Sequence, residues 1–251
     1  MELRGIDVSK HNGTIDWKAV KQSGRVDFVI IRAGYGKLAS QKDVKFEDNY
    51  RGCKENSIPC GTYWYSYAKS VDEIRTEAKV FLQVIKGKQF EYPVYLDFEE
   101  KSQFALGKAK CCEMAKAFMD IIEQAGYYTG MYCSKSYLEN YFNDNIKNRY
   151  DIWLAHYTSK TNYTGQYGIW QYTSEGITPG ISGHVDMNIG YKDYPTIIKN
   201  AGLNGYEKQA VVVDNNTIDN NNTIDNSSTI DNIIEYANKI KSLAEELRHN
   251  E

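Results

Sequence analysis

The stretch YPVYLDFEEKS (residues 92–102) decides how this chain is interpreted. It begins as a run of β-branched and aromatic residues, which is typical of a buried strand, and it ends in three acids, Asp97, Glu99 and Glu100. Side chains two positions apart on a strand share a face, so Asp97 and Glu99 should point the same way, with Cα atoms about 6.6 Å apart. Phe98 and Glu100 should point to the opposite face. The strand therefore presents a pair of carboxyl groups where it ends.

Seven further strand-like runs occur along the chain, and helical segments separate the first five or six of them. The expected strands cover residues 3–9, 27–33, 61–68, 93–99, 127–133, 151–157, 167–172 and 184–190. The expected helices are IDWKAVKQSG, residues 43–56, 71–87 and 109–126, and a segment near SKSYLENYF. Strand–helix alternation predicts parallel strands joined by crossovers. We therefore predict an α/β fold, a (β/α) barrel of eight strands and about five helices, irregular because the last connections are too short for helices.

Four acids are expected at one opening of this barrel. Asp97 and Glu99 lie at the C-terminal end of strand four, which is where such barrels carry their chemistry. Asp7 ends the first strand and Asp186 lies in the last, and these two strands are neighbours in a closed barrel. Carboxyl groups so close together cannot all ionise easily, so one stays protonated near neutral pH, and a protonated acid beside a carboxylate can cleave a glycosidic bond. The simpler alternative is that each acid caps a turn or a helix.

Composition and charge argue against several function classes. The 251 residues carry a formal net charge of −3 without a Lys/Arg block, so no nucleic-acid partner is expected. The five cysteines show no Cys-x-x-Cys or Cys/His spacing that suggests zinc. No metal or other cofactor is expected. The N-terminus lacks the apolar core of an export signal, and no run of about 18 apolar residues predicts a membrane span. The 21 tyrosines suit a site for a sugar, although packing should account for most of them.

The character of the chain changes after Asn200. Residues 1–200 are expected to form the barrel, and residues 201–232 a linker, because the near-repeat NNTIDN-NNTIDN-SSTIDN (215–232) offers too little apolar surface to offset its ordering entropy. Residues 233–251 are predicted to form an amphipathic helix for docking or self-association, since such a helix is marginal alone; a frayed tail is the alternative. Its short heptad seam consists of Ile233, Ala237, Ile240, Ala244 and Leu247.

Eight motifs, in their order along the chain, resemble the glycoside hydrolase family 25 lysozymes, also called muramidases. They are GIDVSKHNGTIDW, FVIIRAGYG, GTYWYSYA, PVYLDFE, GMYCSKSYL, IWLAHY, GIWQYTSEG and HVDMNIG, and they cover residues 3 to about 195. The family's irregular eight-stranded barrel agrees with the pattern above. The resemblance implies an enzyme that cleaves the β-1,4 bond between N-acetylmuramic acid and N-acetylglucosamine in peptidoglycan, as many phage endolysins do.

The resemblance also implies roles for individual residues. Glu99 would protonate the leaving oxygen, and Asp97 would stabilise positive charge or orient the substrate N-acetyl group so that its carbonyl attacks. Asp7 and Asp186 would line the cleft and tune the pair. His156 departs from the family pattern, in which relatives often carry a small residue or another aromatic. The candidate subsite residues are Tyr35, Tyr63, Tyr65, Trp153, Tyr157 and Gln171.

Three alternatives are compatible with the sequence. GYGKLA (34–39) fits a dinucleotide-binding motif after a strand, but the next helix is expected only near Asp43 and no clear strand-end acid follows about 20 residues on. The barrel could instead be a non-catalytic wall-binding module, or the acids could cut chitin. The expected partner is the peptidoglycan glycan strand. Without an export signal, the protein is expected to be made in the cytoplasm and to act on the wall after release, as a phage endolysin or bacterial autolysin.

Overall fold

The structure is a computed structural model that describes residues 2–208, so most of the expected linker and the helix expected over 233–251 lie outside the described residues. Eight strands close into a barrel in chain order: β1 (Leu3–Val8), β2 (Phe28–Tyr35), β3 (Cys60–Tyr65), β4 (Val94–Asp97), β5 (Thr129–Ser134), β6 (Asp151–Ala155), β7 (Ile169–Gly176) and β8 (Val185–Gly190). The predicted eight-stranded irregular α/β barrel is therefore confirmed.

The described part of the chain has eight α-helices, more than the five or so expected. They are α1 (Trp17–Gln22), α2 (Phe46–Glu55), α3 (Val71–Ile85), α4 (Lys101–Phe104), α5 (Lys108–Gln124), α6 (Lys135–Tyr141), α7 (Asp144–Lys147) and α8 (Tyr194–Ala201). The unexpected ones are α4 and α7, which are too short to show a helical period in the sequence, and α8, which has Pro195 in its first turn. Among residues 2–208, no helix has the length and apolar character needed to cross a membrane.

Strand β8 runs antiparallel to both of its neighbours, whereas β1 to β7 pair in parallel. The parallel arrangement expected from strand–helix alternation is therefore wrong for β8. Only residues 177–184 connect it to β7, and a parallel crossover needs a dozen or more residues. The reversal brings the first residues of β8 to the mouth of the barrel, where Asp186 pairs in register with Asp7.

Successive side chains of β4 alternate between two cores, as a strand requires. Leu96 packs in the core beneath the helices, whereas Tyr95 belongs to the cluster inside the barrel. Asp97 continues the inward row. Phe98 packs outside the barrel, with its ring 5.5 Å from that of Phe104. The two-residue alternation thus directs the carboxyl group of Asp97 into the barrel and Phe98 away from it, as the sequence predicted.

Aromatic side chains fill the end of the barrel opposite the mouth. Phe28 stacks on Tyr92 with ring centroids 4.3 Å apart, and Tyr92 packs on Tyr194 of α8 at 5.3 Å. Gly5 leaves room for this layer, since a Cβ there would lie only 2.2 Å from Cζ of Phe28. These aromatic residues at the closed end therefore serve packing.

The barrel extends beyond the boundary expected at residue 200. Asn204 is fully buried, its Nδ2 donates to the carbonyl oxygen of Tyr92 at 2.9 Å, and its Oδ1 accepts from the backbone N–H of Tyr128 at 2.7 Å. The hydroxyl of Tyr206 also bonds to a barrel residue, Glu91. The expected start of the linker is therefore too early. These contacts join segments far apart in the sequence, which local composition does not register.

Candidate active site

The four predicted acids line one cavity of about 170 Å³ at the mouth of the barrel. Asp97 ends β4 and Glu99 follows two residues later, while Asp7 lies near the end of β1 and Asp186 near the start of β8. The cavity is completed by Tyr63, Tyr132, Trp153, Tyr157 and Gln171. Eight of the ten predicted site residues thus lie together, and we call this space the acid cavity.

Amide side chains hold Asp7 in place. Nε2 of Gln171 donates to Oδ2 of Asp7 at 2.9 Å, and Nδ2 of Asn188 donates to the same oxygen at 2.8 Å. Oε1 of Gln171 accepts in turn from the hydroxyl groups of Tyr132 and Tyr157, at 2.8 and 2.9 Å. This network fixes one acid of the cavity and orients two tyrosines of its wall.

Trp153 forms the floor of the acid cavity. Its ring lies 4.6 Å from that of Tyr132 and 5.7 Å from that of Tyr63, and both contacts are edge-on. Its Nε1 donates to Oδ1 of Asn188 at 2.8 Å, so the polar edge of the buried indole has a partner. The floor is therefore rigid and aromatic, and the acids stand around it.

Asp97 and Glu99 differ in burial and in partners. Asp97 is only 4% exposed, and its buried Oδ1 accepts no hydrogen bond. Glu99 is partly exposed and lines both the acid cavity and a neighbouring one. Glu99 can therefore exchange protons with solvent, while Asp97 presents an unsatisfied carboxyl group from deep within the cavity.

Burial and mutual repulsion favour the protonated forms of these acids. Desolvation raises the pKa of Asp97 well above its usual range, and the charges of Glu99 and Asp7 raise it further. Desolvation also raises the pKa of Glu99, with additional effects from Asp186 and Glu100. Burial, followed by the charge of Asp186, raises the pKa of Asp7, and burial raises that of Asp186. The cluster thus retains protons closer to neutral pH than isolated carboxyl groups would, as a general acid requires.

Tyr35 and Tyr65 do not line the acid cavity. Tyr65 pairs with Asp97 in register, and its hydroxyl donates to Oε2 of Glu100 at 3.4 Å. Its ring lies 4.8 Å from that of Tyr67, which Tyr35 meets edge-on at 6.0 Å. These three tyrosines form an aromatic rim beside the cavity, and a role for the rim in binding substrate stays a prediction.

Three residues that the sequence did not indicate line the site or act on its acids: Tyr132, Asn188 and Arg32. Tyr132 lies near the C-terminal end of β5, and Asn188 shares a face of β8 with Asp186, so the rules that found the acids could have found both. Arg32 opposes the rise in the pKa of Asp97 through its positive charge, and its Nε donates to Asp43 at 2.7 Å. No pattern in the sequence around Arg32 indicates that it lies near the acids.

A second cavity of about 420 Å³ adjoins the acid cavity. It shares Glu99, Tyr132 and Tyr157 with the first, and its other lining residues are Ser134, Lys135, Ser136, Ala155 and His156. We call these five residues the basic branch. They include one lysine and one histidine but no carboxylate, so the character of the cleft changes from acidic to basic across Glu99.

Two other ligand classes find no matching site among residues 2–208. GYGKLA is followed by a short 3-10 turn (Ala39–Gln41), and α2 begins only at Phe46, so no helix N-terminus follows the glycines as a dinucleotide site requires. Within the same residues, no group of three or more His, Cys, Asp or Glu side chains is arranged to hold a metal ion.

Glu77 of α3 supports the loop that follows β3. It is fully buried, and its Oε1 accepts from the backbone N–H of Tyr67 at 3.0 Å. Nε2 of Gln103, in α4, donates to Oγ of Ser66 at 2.9 Å. One buried cluster therefore joins the loop that carries Tyr67 of the aromatic rim to the helix that follows β4.

We expect Glu77→Gln to make the free energy of unfolding less dependent on pH. Burial raises the pKa of Glu77 from 4.5 to about 7, so the folded protein keeps a proton that the unfolded chain releases, and stability falls as pH rises through this range. Between about pH 5 and pH 8, the free energy of unfolding of the variant should rise relative to that of the wild type by a few kcal/mol at most. Thermal unfolding at both pH values measures this gain. Asp72→Asn, exposed on the same helix, is the control, and an equal gain there would contradict the assignment.

Comparisons with known proteins agree with this geometry. A family model described as "Glycosyl hydrolases family 25" matches residues 6–181. The autolytic lysozyme of Clostridium acetobutylicum is 29% identical over 189 residues, which cover 74% of this chain and 55% of that protein. The modular autolysin LytC from Streptococcus pneumoniae superposes with a TM-score of 0.69 at 30% identity, covering 76% of this chain and 47% of LytC. LytC has also been solved in complex with a synthetic peptidoglycan ligand.

A bacteriophage protein is similar over nearly its whole solved length. The catalytic domain of endolysin ply40, from bacteriophage P40 of Listeria monocytogenes, superposes with a TM-score of 0.65 at 25% identity, covering 79% of this chain and 97% of that domain. In contrast, this chain spans about half the length of LytC and of the clostridial lysozyme. The similarity therefore lies in a region that both autolysins and an endolysin contain.

Proposed function

This chain belongs to the glycosyl hydrolases family 25, and from that premise we propose that it is a muramidase acting on bacterial peptidoglycan. The bond cleaved is the β-1,4 linkage between N-acetylmuramic acid and N-acetylglucosamine. The observation that carries the proposal is the acid cavity, where Asp7, Asp97, Glu99 and Asp186 converge at the mouth of the barrel. Carboxyl groups crowded in a desolvated cleft are costly, and such arrangements are characteristic of sites where a substrate or a reaction uses them.

Glu99 acts as the general acid. Burial raises its pKa, which favours the protonated form, and it lines two adjoining cavities that would hold sugars on either side of the scissile bond. The proton passes to the glycosidic oxygen as the bond from that oxygen to the anomeric carbon breaks. Water then adds to the anomeric carbon, either directly or after the N-acetyl carbonyl oxygen has attacked it, and the proton that this water releases restores the carboxyl group of Glu99, which is partly exposed to solvent.

Asp97 acts on the positive charge that develops at the anomeric carbon. Its carboxylate either stabilises this charge directly or orients the substrate N-acetyl group so that the carbonyl oxygen attacks. Each role requires Asp97 to be ionised when the bond breaks. A developing cation favours that ionisation, because it offsets the desolvation that otherwise raises the pKa of Asp97.

Asp7 and Asp186 tune the pair. The charge of Asp7 raises the pKa of Asp97, and that of Asp186 raises the pKa of Glu99. The amides of Gln171 and Asn188 hold Asp7 where it exerts this effect. The two outer acids therefore help keep protons in the cavity without having to contact the scissile bond.

A suspension of bacterial walls tests the proposed function. The protein should reduce the turbidity of the suspension. It should also release fragments whose new reducing ends, identified by mass spectrometry, are N-acetylmuramic acid. Reducing-end N-acetylglucosamine would contradict the assigned bond. Binding without clearing would favour the non-catalytic wall-binding module, and faster cleavage of chitin oligosaccharides than of wall fragments would favour a chitin-directed enzyme.

The place of action is the cell wall, after the protein has left the cytoplasm in which it is made. The similarity to the endolysin ply40 and to the autolysin LytC supports both the phage and the bacterial version of this proposal. Immunolocalisation during lysis of a producing culture tests it, and protein confined to intact cytoplasm while walls are being degraded would contradict it.

A chain that ends at residue 214 should keep its activity on soluble wall fragments. It retains the acid cavity, the basic branch and Asn204, so loss of residues 215–251 should alter only assembly or wall targeting, which light scattering and wall sedimentation measure. A chain that ends at residue 202 loses Asn204 and its buried hydrogen bonds, and its midpoint of thermal unfolding should fall. If the chain that ends at residue 214 failed to fold, the proposal that residues 215–251 are dispensable for the barrel would be refuted.

A further inference from the structure

The two arms of the cleft differ in charge on either side of Glu99. The acid cavity brings Asp7, Asp97 and Asp186 to one side, whereas the basic branch presents Lys135 and no carboxylate on the other. The side chain of Lys135 is 20% exposed and lies 3.1 Å from Glu139, a helix neighbour that does not line the branch. A substrate with charge on only one of its sugars would therefore fit the cleft in one orientation.

The basic branch offers polar groups that suit an extended acidic chain. Ser134 and Ser136 flank Lys135, and the facing wall carries His156. Nδ1 of His156 bonds to the hydroxyl of Thr161 at 2.8 Å, which fixes the ring in the wall. The cavity of about 420 Å³ has room for several residues of a peptide as well as for part of a sugar.

Peptidoglycan has the matching asymmetry. Its N-acetylglucosamine residues are neutral, whereas each N-acetylmuramic acid carries a lactyl-linked peptide stem with free carboxylates. A stem directed into the acid cavity would meet four carboxyl groups, none of which offers a positive charge, while one directed into the basic branch would meet Lys135. The charge pattern thus favours one placement of the stem.

We propose that the basic branch is a subsite for the acidic peptide stem of the substrate, with Lys135 as its specificity-determining residue. This inference rests on the proposed function, because it concerns the same cleft and the same polymer. Lys135 binds a stem carboxylate by exchanging its partner Glu139 for the ligand, and Ser134 and Ser136 donate to stem carbonyl oxygens. The branch therefore distinguishes glycan strands that carry stems from strands that do not.

The test compares soluble wall glycan with the same glycan after an amidase has removed its peptide stems. Lys135→Gln should lower kcat/KM on stem-bearing strands by about tenfold, mainly through KM, as expected for one lost charge-assisted contact. The loss of kcat/KM on stripped strands should be much smaller. Lys135→Arg should retain the preference for stems, and Glu139→Gln, which frees the lysine, should not reduce it. Lys86→Gln, at the end of α3 and outside the branch, is the matched control.

Each outcome bears on the proposal. A selective loss on stem-bearing strands, reduced at high salt, supports it. An equal loss on both substrates, or no loss on either, overturns it while leaving the muramidase assignment intact. A wild-type protein that cleaves neither substrate would instead overturn the proposed function, so the two failures are distinguishable. Circular dichroism of Lys135→Gln and Lys135→Arg separates any folding defect from a binding defect.

Discussion

Glu99→Gln is expected to lower kcat for wall hydrolysis by about 10²–10⁴-fold or more, because in the proposed mechanism Glu99 protonates the leaving oxygen and an amide is far too weak an acid to do so. The fold should be unaffected, since Glu99 is partly exposed and its replacement has nearly the same shape. Release of reducing ends from soluble wall fragments measures the activity, and the midpoint of thermal unfolding checks the fold. The pH profile should also change, because the group with the raised pKa is lost.

Glu100→Gln is the matched control for this experiment. Glu100 is the next residue, but it caps α4, with the backbone N–H of Ser102 at 3.5 Å from its Oε1, and it does not line the acid cavity. Its substitution should change kcat by a small factor only. If Glu99→Gln retained nearly full activity, or if Glu100→Gln were equally damaging, Glu99 would not be the general acid.

Asp97→Asn should lower kcat by about 10²–10³-fold and at the same time stabilise the protein. The loss is expected because, in the proposed mechanism, the carboxylate of Asp97 acts on the positive charge that develops at the anomeric carbon. The gain follows from burial, because Asp97 has an unsatisfied buried oxygen and a strongly raised pKa. A carboxyl group with a raised folded pKa costs stability as pH rises above its unfolded value, so the gain should be larger at about pH 8 than at about pH 4.

Asp151→Asn tests whether replacing any buried aspartate by asparagine would stabilise the protein, as is expected for Asp97→Asn. Asp151 is also buried inside the barrel, but it accepts from the hydroxyl of Tyr95 at 3.1 Å and pairs with Lys192 at 2.8 Å. Its substitution should therefore destabilise the protein. A variant at Asp97 as fast as the wild type would show that this residue has no part in the reaction, and one that is slower and less stable would indicate a structural role instead.

The acids could be found from the sequence because their placement follows local rules. The two-residue alternation of β4 places Asp97 inside the barrel, and the ends of β1 and β4 meet at one mouth in any closed barrel of this kind. Tyr132 on β5 and Asn188 on β8 follow the same rules. Much of the acid cavity is therefore encoded in short segments of sequence.

Other features depend on contacts that no local pattern contains. The reversal of β8 follows from the shortness of the β7–β8 connection, which shows in the sequence only once the strand ends are known. Asn204 looks like a linker residue because it is polar, yet it is buried against segments more than 70 positions away. The charge difference across Glu99 arises from β5, α6 and β6 together, so it appears only after the barrel has closed.

The reversal of β8 also determines where the described chain enters and leaves the molecule. Leu3 at the start of β1 pairs with Gly190 at the end of β8, and α8 packs on the aromatic layer at the same pole. Residues 2 and 208 therefore both emerge away from the cleft. A fluorescent reporter, an affinity tag or a surface for immobilisation can therefore be joined before residue 2, or after residue 208 in a chain shortened to that point, without covering the groove. A polymer many sugars long could still pass across the mouth of such a tethered enzyme.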